Sequence, residues 1–428
     1  MRKRVVITGL GIVAPNGHGI EAFEKALRAG KSGIRFMPEL EELKFGCQVA
    51  GVPQNIDEVS ARYFSSDQLL AMNSSIRYAS IAAIDAWRDA GFEVPAHDSQ
   101  EVDWGTGAII GTGIGGMDTI VGKVVPLTAA GKVRRLGSTA VEQVMASGVS
   151  ARIGGLLALG NQVTTNSSAC STGTEAIVDA MYRIRNGLAQ RMLAGGAEGA
   201  SPYIWAGFDA MRVLNRTRNH EPEKASRPMS ASAAGFVPGS GAGVLMLEDL
   251  NRARERGARI YAEIIGAAVN CGGQRMGGSM TAPNPAGVRR CIHDALKDAG
   301  IGGRDVDAIN GHLTATFADP FEVQNWAKAL NRNTDDFPLI NATKSLVGHS
   351  LGAAGGLESV ASILQVYKGF VHGSVNCEDL HAQLLPFSKR IVRQTRETPH
   401  LRIQAKASFG FGDVNTCIFF KKWEQSAA

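Results

Sequence analysis

Residues 164–187, TTNSSACSTGTEAIVDAMYRIRNG, and residues 339–369, LINATKSLVGHSLGAAGGLESVASILQVYKG, follow one plan. Each begins with a short strand ending in polar residues and turns through a segment carrying a reactive side chain. Each then continues with apolar residues at helical spacing until a glycine closes the helix. A chain that repeats strand, turn and helix in this way is expected to stack two copies of one α/β module, with helices covering both faces of the sheets.

The rest of the chain fits that frame. RVVITGLGIV opens as a buried strand, followed by a turn at Pro15-Asn16-Gly17, a helix from about Gly19 to Ala29, a second helix from roughly Met72 to Ala90, and a strand over 107–116. Residues 123–136 read as irregular; RMLAGGAE and IYAEIIGAAVN read as further strands. The halves are placed at 1–252 and 259–421, and no linker of disordered composition divides them. With 51 glycines against 15 prolines among 428 residues, the chain is suited to tight turns and close backbone approaches rather than to disorder.

Several classes of function are excluded by composition. A net charge of +5 without any Lys/Arg block interleaved with aromatics does not suit nucleic acid. Six cysteines, at 47, 170, 271, 291, 377 and 417, contain no CxxC pair, which argues against a zinc site or disulfide scaffold and for a reducing compartment, the cytoplasm. No run of about 18 apolar residues occurs, and the basic N-terminus has its apolar run broken by Thr and Gly, so neither a membrane span nor a signal peptide is expected. Two glycine patterns, Gly9 to Ala14 and Gly111 to Gly116, lack the following acidic strand end of a dinucleotide site and read as structural turns.

The chemistry is expected at Cys170. A sulfur at a helix start meets free backbone N–H groups and the positive end of the helix dipole, which favour the nucleophilic thiolate. His312 in NGHLTAT and His349 in KSLVGHSLGAAGG sit in small-residue turns suited to partner such a nucleophile, whereas His18, His97, His220 and His400 lie in polar loops or turns.

NSSACSTGTEAI, NGHLTATFADPFE, NATKSLVGHSLGAAGGLES and SFGFGDVN, in that order, resemble the signature of the β-ketoacyl-[acyl carrier protein] synthases of the elongating Cys-His-His type, and the likeness spans nearly the whole chain. The resemblance implies a thiolase-like fold of two α/β halves in five layers (αβαβα), a homodimer, and acyl carrier protein in acyl and malonyl forms as partner, with no cofactor and no metal. It implies that Cys170 takes the acyl chain, that His312 and His349 serve malonyl decarboxylation, and that the backbone N–H groups of Cys170 and Phe411 hold the oxyanion. It further implies that Lys344 pairs with Glu322 and Glu358, that Thr281, Thr314 and Thr316 hold the pantetheine arm, that Ile114 and Phe208 line the acyl pocket, and that Arg134, Arg135 and Arg212 dock the carrier.

Three departures are visible. The usual HGTxT reads His-Leu-Thr, the loop to Glu322 is one residue shorter, and the usual GFGG reads Gly410-Phe-Gly-Asp413. None removes a reactive group, and all fall on the pantetheine tunnel and its loops. A thiolase acting on acyl-CoA would need a second cysteine in a late glycine-rich motif, which Cys417 in its strand does not supply. A non-catalytic chain-length subunit would lack the nucleophile. A condensing enzyme of a specialised pigment or polyketide pathway remains the alternative expectation.

Overall fold

The computed structural model describes residues 2–424. In the first half, strands β1 (Val5–Ala14), β2 (Thr106–Gly111), β3 (Val163–Thr164), β4 (Arg191–Glu198) and β5 (Gly241–Asp249) lie in the order β3-β2-β4-β5-β1. In the second half, β6 (Ala262–Cys271), β7 (Ala308–Asn310), β8 (Leu339–Asn341), β9 (Ile403–Gly410) and β10 (Val414–Lys422) lie in the order β8-β7-β9-β10-β6. The first three strands of each list run parallel, and the fourth is antiparallel to both of its neighbours. The two halves therefore repeat both strand order and strand sense. They join where β1 pairs antiparallel with β6, Val5 opposite Ile264 and Ile7 opposite Ala262.

Six helices complete the layers: α1 (Ser74–Asp89), α2 (Gly148–Leu156), α3 (Thr172–Arg185), α4 (Pro285–Ala299), α5 (Asp319–Leu330) and α6 (Ala354–Lys368). α1 and α2 cover the outer face of the first sheet, and α4, backed by α5, covers the outer face of the second. α3 and α6 lie between the sheets, each touching strands of both halves and each other, so the body is αβαβα. Burial on both sides explains why β1, β5 and β9 are buried along their whole length, and why α6 is buried at all but its last two positions.

Glycines set how closely these layers meet. A Cβ on Gly9 or Gly11 would collide with the carbonyl oxygens of Ala86 and Ala82, so the first glycine pattern serves to seat α1 on β1. α3 and α6 cross at Gly173 and Gly355, where a Cβ on the first would lie 2.7 Å from the nitrogen of Gly356 and one on the second would collide with that of Thr174. Among the described residues no helix is long and apolar enough to cross a membrane.

Two expectations change. The strand placed over 107–116 ends at Gly111, because the backbone beyond it turns to meet the carboxylate of Glu198. The stretch at 123–136 is not irregular at its start: Ile120–Val124 form a π turn that runs into a short helix at Val125–Ala129, and only then does a 3-10 turn at Val133–Leu136 present its arginines.

Candidate active site

Cys170 sits in a one-turn 3-10 segment, Ala169–Ser171, that feeds directly into α3. Ala169 adopts φ 49, a left-handed conformation that costs a non-glycine residue about 1 kcal/mol or more. The turn is fixed by its own hydroxyls: Thr172 Oγ1 accepts from Ser168 N–H at 2.8 Å and donates to Ala169 O at 2.7 Å. Toward the second half, Ser171 Oγ donates to Val414 O at 3.1 Å, and Thr174 Oγ1 lies 2.9 Å from Ser408 Oγ. The Cys170 turn is thereby clamped onto the last two strands of the other half.

His349 Nε2 stands 3.0 Å from Cys170 Sγ, and the rings of His312 and His349 meet edge to face with centroids 5.5 Å apart. The ligating atoms of the three residues all lie within 4.8 Å of one another. On the far side of His349, Leu351 N–H donates to Nδ1 at 3.3 Å, and Lys344 Nζ faces His312 Nδ1 at 3.5 Å. A backbone N–H and an ammonium are donors only, so both Nδ1 atoms accept and both Nε2 atoms carry the proton. The trio matches a zinc site in number, but this tautomer aims protons rather than lone pairs at its centre, against metal ligation.

Electrostatics keep both imidazoles neutral. Burial, the Lys344 charge and then the neighbouring His349 and Lys406 hold His312 well below the ordinary 6.5; burial, Lys344 and Lys406 do the same for His349. Lys344 forms a buried ion pair with Glu358 Oε1, and Lys406 reaches Glu358 Oε2 at 2.6 Å. Burial pushes the Cys170 thiol up to about 11, although Lys344 and the Phe411 N–H pull the other way. The sequence-based expectation of a resting thiolate is corrected here: the helix-start effect is a partial charge, and desolvation in a closed pocket outweighs it.

Glu322 does not share the Lys344 ion pair as expected. Its carboxylate accepts from His312 N–H at 2.7 Å and from Leu313 N–H at 2.8 Å, and burial raises it to about 7. Asp319, raised by burial to about 6, accepts from Thr314 N–H at 2.9 Å and Ala315 N–H at 3.1 Å. Two acids on the first turn of α5 thus hold the loop that carries His312. In that loop the hydroxyls of Thr314 and Thr316 are 3.1 Å apart.

Phe411 follows Gly410, whose Cβ, were there one, would lie 3.0 Å from the Cys170 nitrogen. The Phe411 ring lies 6.0 Å from that of Phe208, Phe208 lies 5.6 Å from Phe236, and Phe236 lies 5.1 Å from His349, so an aromatic wall leads from the Cys170–His349 pair into the apolar cluster containing Ile114, Trp205 and Leu351. Thr281 is exposed on the glycine-rich segment 272–284, and Arg134, Arg135 and Arg212 are exposed on the surface.

Sequence reasoning missed Glu198 and Lys406. Glu198, wholly buried at the end of β4, accepts from Gly113 N–H and Gly352 N–H at 2.9 Å each and from Ile114 N–H at 3.1 Å. The available signal was a charged residue inside or ending an otherwise apolar strand, RMLAGGAE and IQAKASFG, since a charge between two layers must meet partners.

The family model "Beta-ketoacyl synthase, N-terminal domain" matches residues 2–253, and "Beta-ketoacyl synthase, C-terminal domain" matches residues 261–378. The chain is 35% identical to "3-oxoacyl-[acyl-carrier-protein] synthase 2" of Vibrio harveyi, covering 98% of this chain and 99% of that one. It is 34% identical to the chloroplastic "3-oxoacyl-[acyl-carrier-protein] synthase I" of Arabidopsis thaliana, covering 99% and 87%. Among solved structures, a beta-ketoacyl synthase from Burkholderia phymatum superposes with a TM-score of 0.89 at 29% identity over 99% of this chain and 100% of that one. A type II PKS ketosynthase, solved in complex with its acyl-carrier protein, superposes with a TM-score of 0.86 at 28% identity over the same shares. With two family models matched over most of its length around a Cys-His-His cluster, this chain belongs to the β-ketoacyl synthase family.

Proposed function

We propose that this chain is a 3-oxoacyl-[acyl carrier protein] synthase that extends an acyl chain by two carbons from malonyl-carrier protein. The observation that carries this reading is the Cys170–His349 contact of 3.0 Å beside His312, with a hydrogen-bond donor set against Nδ1 of each imidazole. Neutral donors suit an enolate, whereas a general base would need a free lone pair facing the thiol.

In the first half-reaction, the Cys170 sulfur attacks the carrier thioester, the carbon–sulfur bond to pantetheine breaks, and the thiol proton ends on the departing pantetheine sulfur. Approach of the thioester carbonyl to the Cys170 and Phe411 N–H groups offsets the high thiol pKa, since these donors stabilise the oxyanion formed on attack. In the second, the malonyl carbon–carboxylate bond breaks and carbon dioxide leaves with the electron pair held as an enolate under the His312 and His349 Nε2–H groups. That carbon forms a bond to the acyl carbonyl, the Cys170 carbon–sulfur bond breaks, and the thiolate takes up a proton. The sequence balances without a cofactor.

The remaining roles belong to the same proposal. The half at 1–252 supplies the nucleophile, and the half at 259–421 supplies the histidines. Lys344, held in place by Glu358, keeps the imidazoles neutral; Glu322 positions His312; Thr281, Thr314 and Thr316 meet the pantetheine arm; Ile114 and Phe208 line the acyl pocket. Arg134, Arg135 and Arg212 are exposed and offer local positive charge to an acidic carrier protein. A homodimer is supported by β3, the last strand at one end of the sheet, and by exposed apolar side chains at Val125, Val133, Val141 and Met145 on the approach to α2. Free cysteines throughout agree with a reducing cytoplasm.

The test is incubation with a panel of acyl-carrier thioesters and malonyl-carrier protein, read by mass spectrometry. The expected result is an acyl adduct on the Cys170 peptide and a 3-oxoacyl product two carbons longer, both lost in Cys170→Ala. An adduct elsewhere in Cys170→Ala, or no extension with any chain length, overturns the reading.

A further inference from the structure

We infer that Asp413 is a positioning residue that latches the 272–284 segment onto the Phe411 turn and so holds the oxyanion donor in place; the inference rests on the condensing reading above. Asp413 stands where the resembling sequences have glycine, and the structure gives its side chain a definite task. It is wholly buried, with φ 62. Its Oδ1 accepts from Asn284 N–H at 2.7 Å, and its Oδ2 accepts from Gln274 N–H at 2.9 Å. Both ends of one exposed, glycine-rich segment are therefore gathered by a single carboxylate.

The backbone completes the latch. Gly272 N–H donates to Asp413 O at 2.9 Å, and Gly412 N–H donates to Met280 O at 2.8 Å. The segment is cut to fit: a Cβ on Gly278 would lie 2.6 Å from Asp413 Oδ2, and one on Gly272 would collide with the carboxylate. Between these anchors Arg275, Met276 and Gly277 are exposed, and Thr281 lies next to the Met280 anchor. Residues 410–413 thus face two ways. Gly410 packs against the Cys170 nitrogen and Phe411 presents its N–H to the sulfur, while Gly412 and Asp413 grip the surface segment. A displacement of the segment pulls on the residue adjacent to the oxyanion donor, and misplacing such a donor lowers turnover more than it weakens substrate binding.

The closing experiment compares Asp413→Asn and Gly278→Ala with wild type in the full chain. An asparagine retains one acceptor and turns an NH₂ toward the other backbone N–H; the alanine leaves Asp413 intact and pushes the segment off it. Hydrogen exchange is followed in peptides covering 272–284 and 172–185, together with kcat and KM for condensation. Both variants are expected to speed exchange in 272–284 by about tenfold, the protection that one hydrogen bond to a charged group confers, while 172–185 is unchanged. kcat is expected to fall by about tenfold, with KM changed by less than about threefold. Unchanged exchange in both variants, equal acceleration in both peptides, or faster exchange with an unaltered kcat each overturns the inference. Exchange is read without turnover, so a wild-type enzyme that fails to condense removes the functional reading and leaves the latch itself still under test.

Discussion

The two halves of the molecule build the same turn and use it in opposite ways. Ala169–Ser171 leads into α3 and Leu351–Ala353 leads into α6; the first residue of each is left-handed, φ 49 at Ala169 and φ 48 at Leu351. On this register Cys170 corresponds to Gly352, Gly173 to Gly355 and Ala176 to Glu358. Each turn is met by the last residue of a strand of the other half, β9 for the first turn and β4 for the second. At Cys170 that residue is Gly410, which leaves the Cys170 N–H open; at Gly352 it is Glu198, whose carboxylate takes the Gly352 N–H at 2.9 Å. One turn is left open and the other is filled by the protein's own carboxylate. The two turns are equivalent in backbone, and the side chains at two positions per half decide which one stays open.

The largest disturbance of this asymmetry is expected at Glu358, the acid that the first half replaces with Ala176. Glu358→Gln leaves Lys344 and Lys406 buried without their counter-charge, and breaking such a pair costs about 3–5 kcal/mol. Urea unfolding is expected to show that loss, and an unchanged midpoint would mean the lysines are neutral or compensated elsewhere. A smaller effect is expected from Glu198→Gln, which keeps the shape but turns an NH₂ group toward backbone donors at the filled turn. The cost is about 1–3 kcal/mol, with Cys170 acylation retained, because the open turn is untouched. Loss of acylation at full stability would show that the two turns are coupled rather than alternative.

A third test uses pH. His312 and His349 stay neutral in the fold while their unfolded counterparts gain a proton below about 6.5, so the unfolded state binds more protons and stability falls as pH drops. Between pH 7 and 5 each histidine is expected to account for about 2 kcal/mol of that fall. Glu322 and Asp319, raised to about 7 and about 6, work in the opposite sense, since the fold binds their protons more tightly and their contribution is lost as pH rises. The comparison is therefore of slopes: His312→Ala with His349→Ala should lose less stability on acidification than wild type. Equal slopes would mean the imidazoles are charged in the fold.

The mildest effect is expected at the surface of the first half. Arg134→Glu with Arg135→Glu should raise KM for carrier-bound substrate, most at low salt, and leave turnover of a small pantetheine thioester unchanged. Equal impairment of both substrates would point to a fold or assembly defect instead.

Much of this is legible in the sequence alone. The repeated strand, turn and helix gave the layers, and the small-residue turns around Cys170, His312 and His349 gave the cluster. The register of the repeat was not legible. Two turns each holding a reactive residue suggested that Cys170 and His349 were counterparts, yet His349 precedes the true counterpart, Gly352, because the left-handed residue that sets the register is Leu351, whose side chain carries no such signal. Glu198 and Lys406 were hidden for another reason: their partners come from segments far away in the sequence, which no local pattern reveals. The charge state of Cys170 was misjudged because a helix start is a local feature and desolvation is a property of the assembled pocket.

The division of labour between the halves is tested most directly by His312→Ala, incubated first with an acyl-carrier thioester and then with malonyl-carrier protein, with adduct and product both followed by mass spectrometry. His312 is proposed to serve the second half-reaction alone. A full acyl adduct on the Cys170 peptide is expected, with a condensation rate lower by about 10²- to 10³-fold, the loss that follows removal of one positioned donor to a developing oxyanion. Condensation at the wild-type rate, or failure of Cys170 to acylate in a variant that remains folded, would contradict that division of labour.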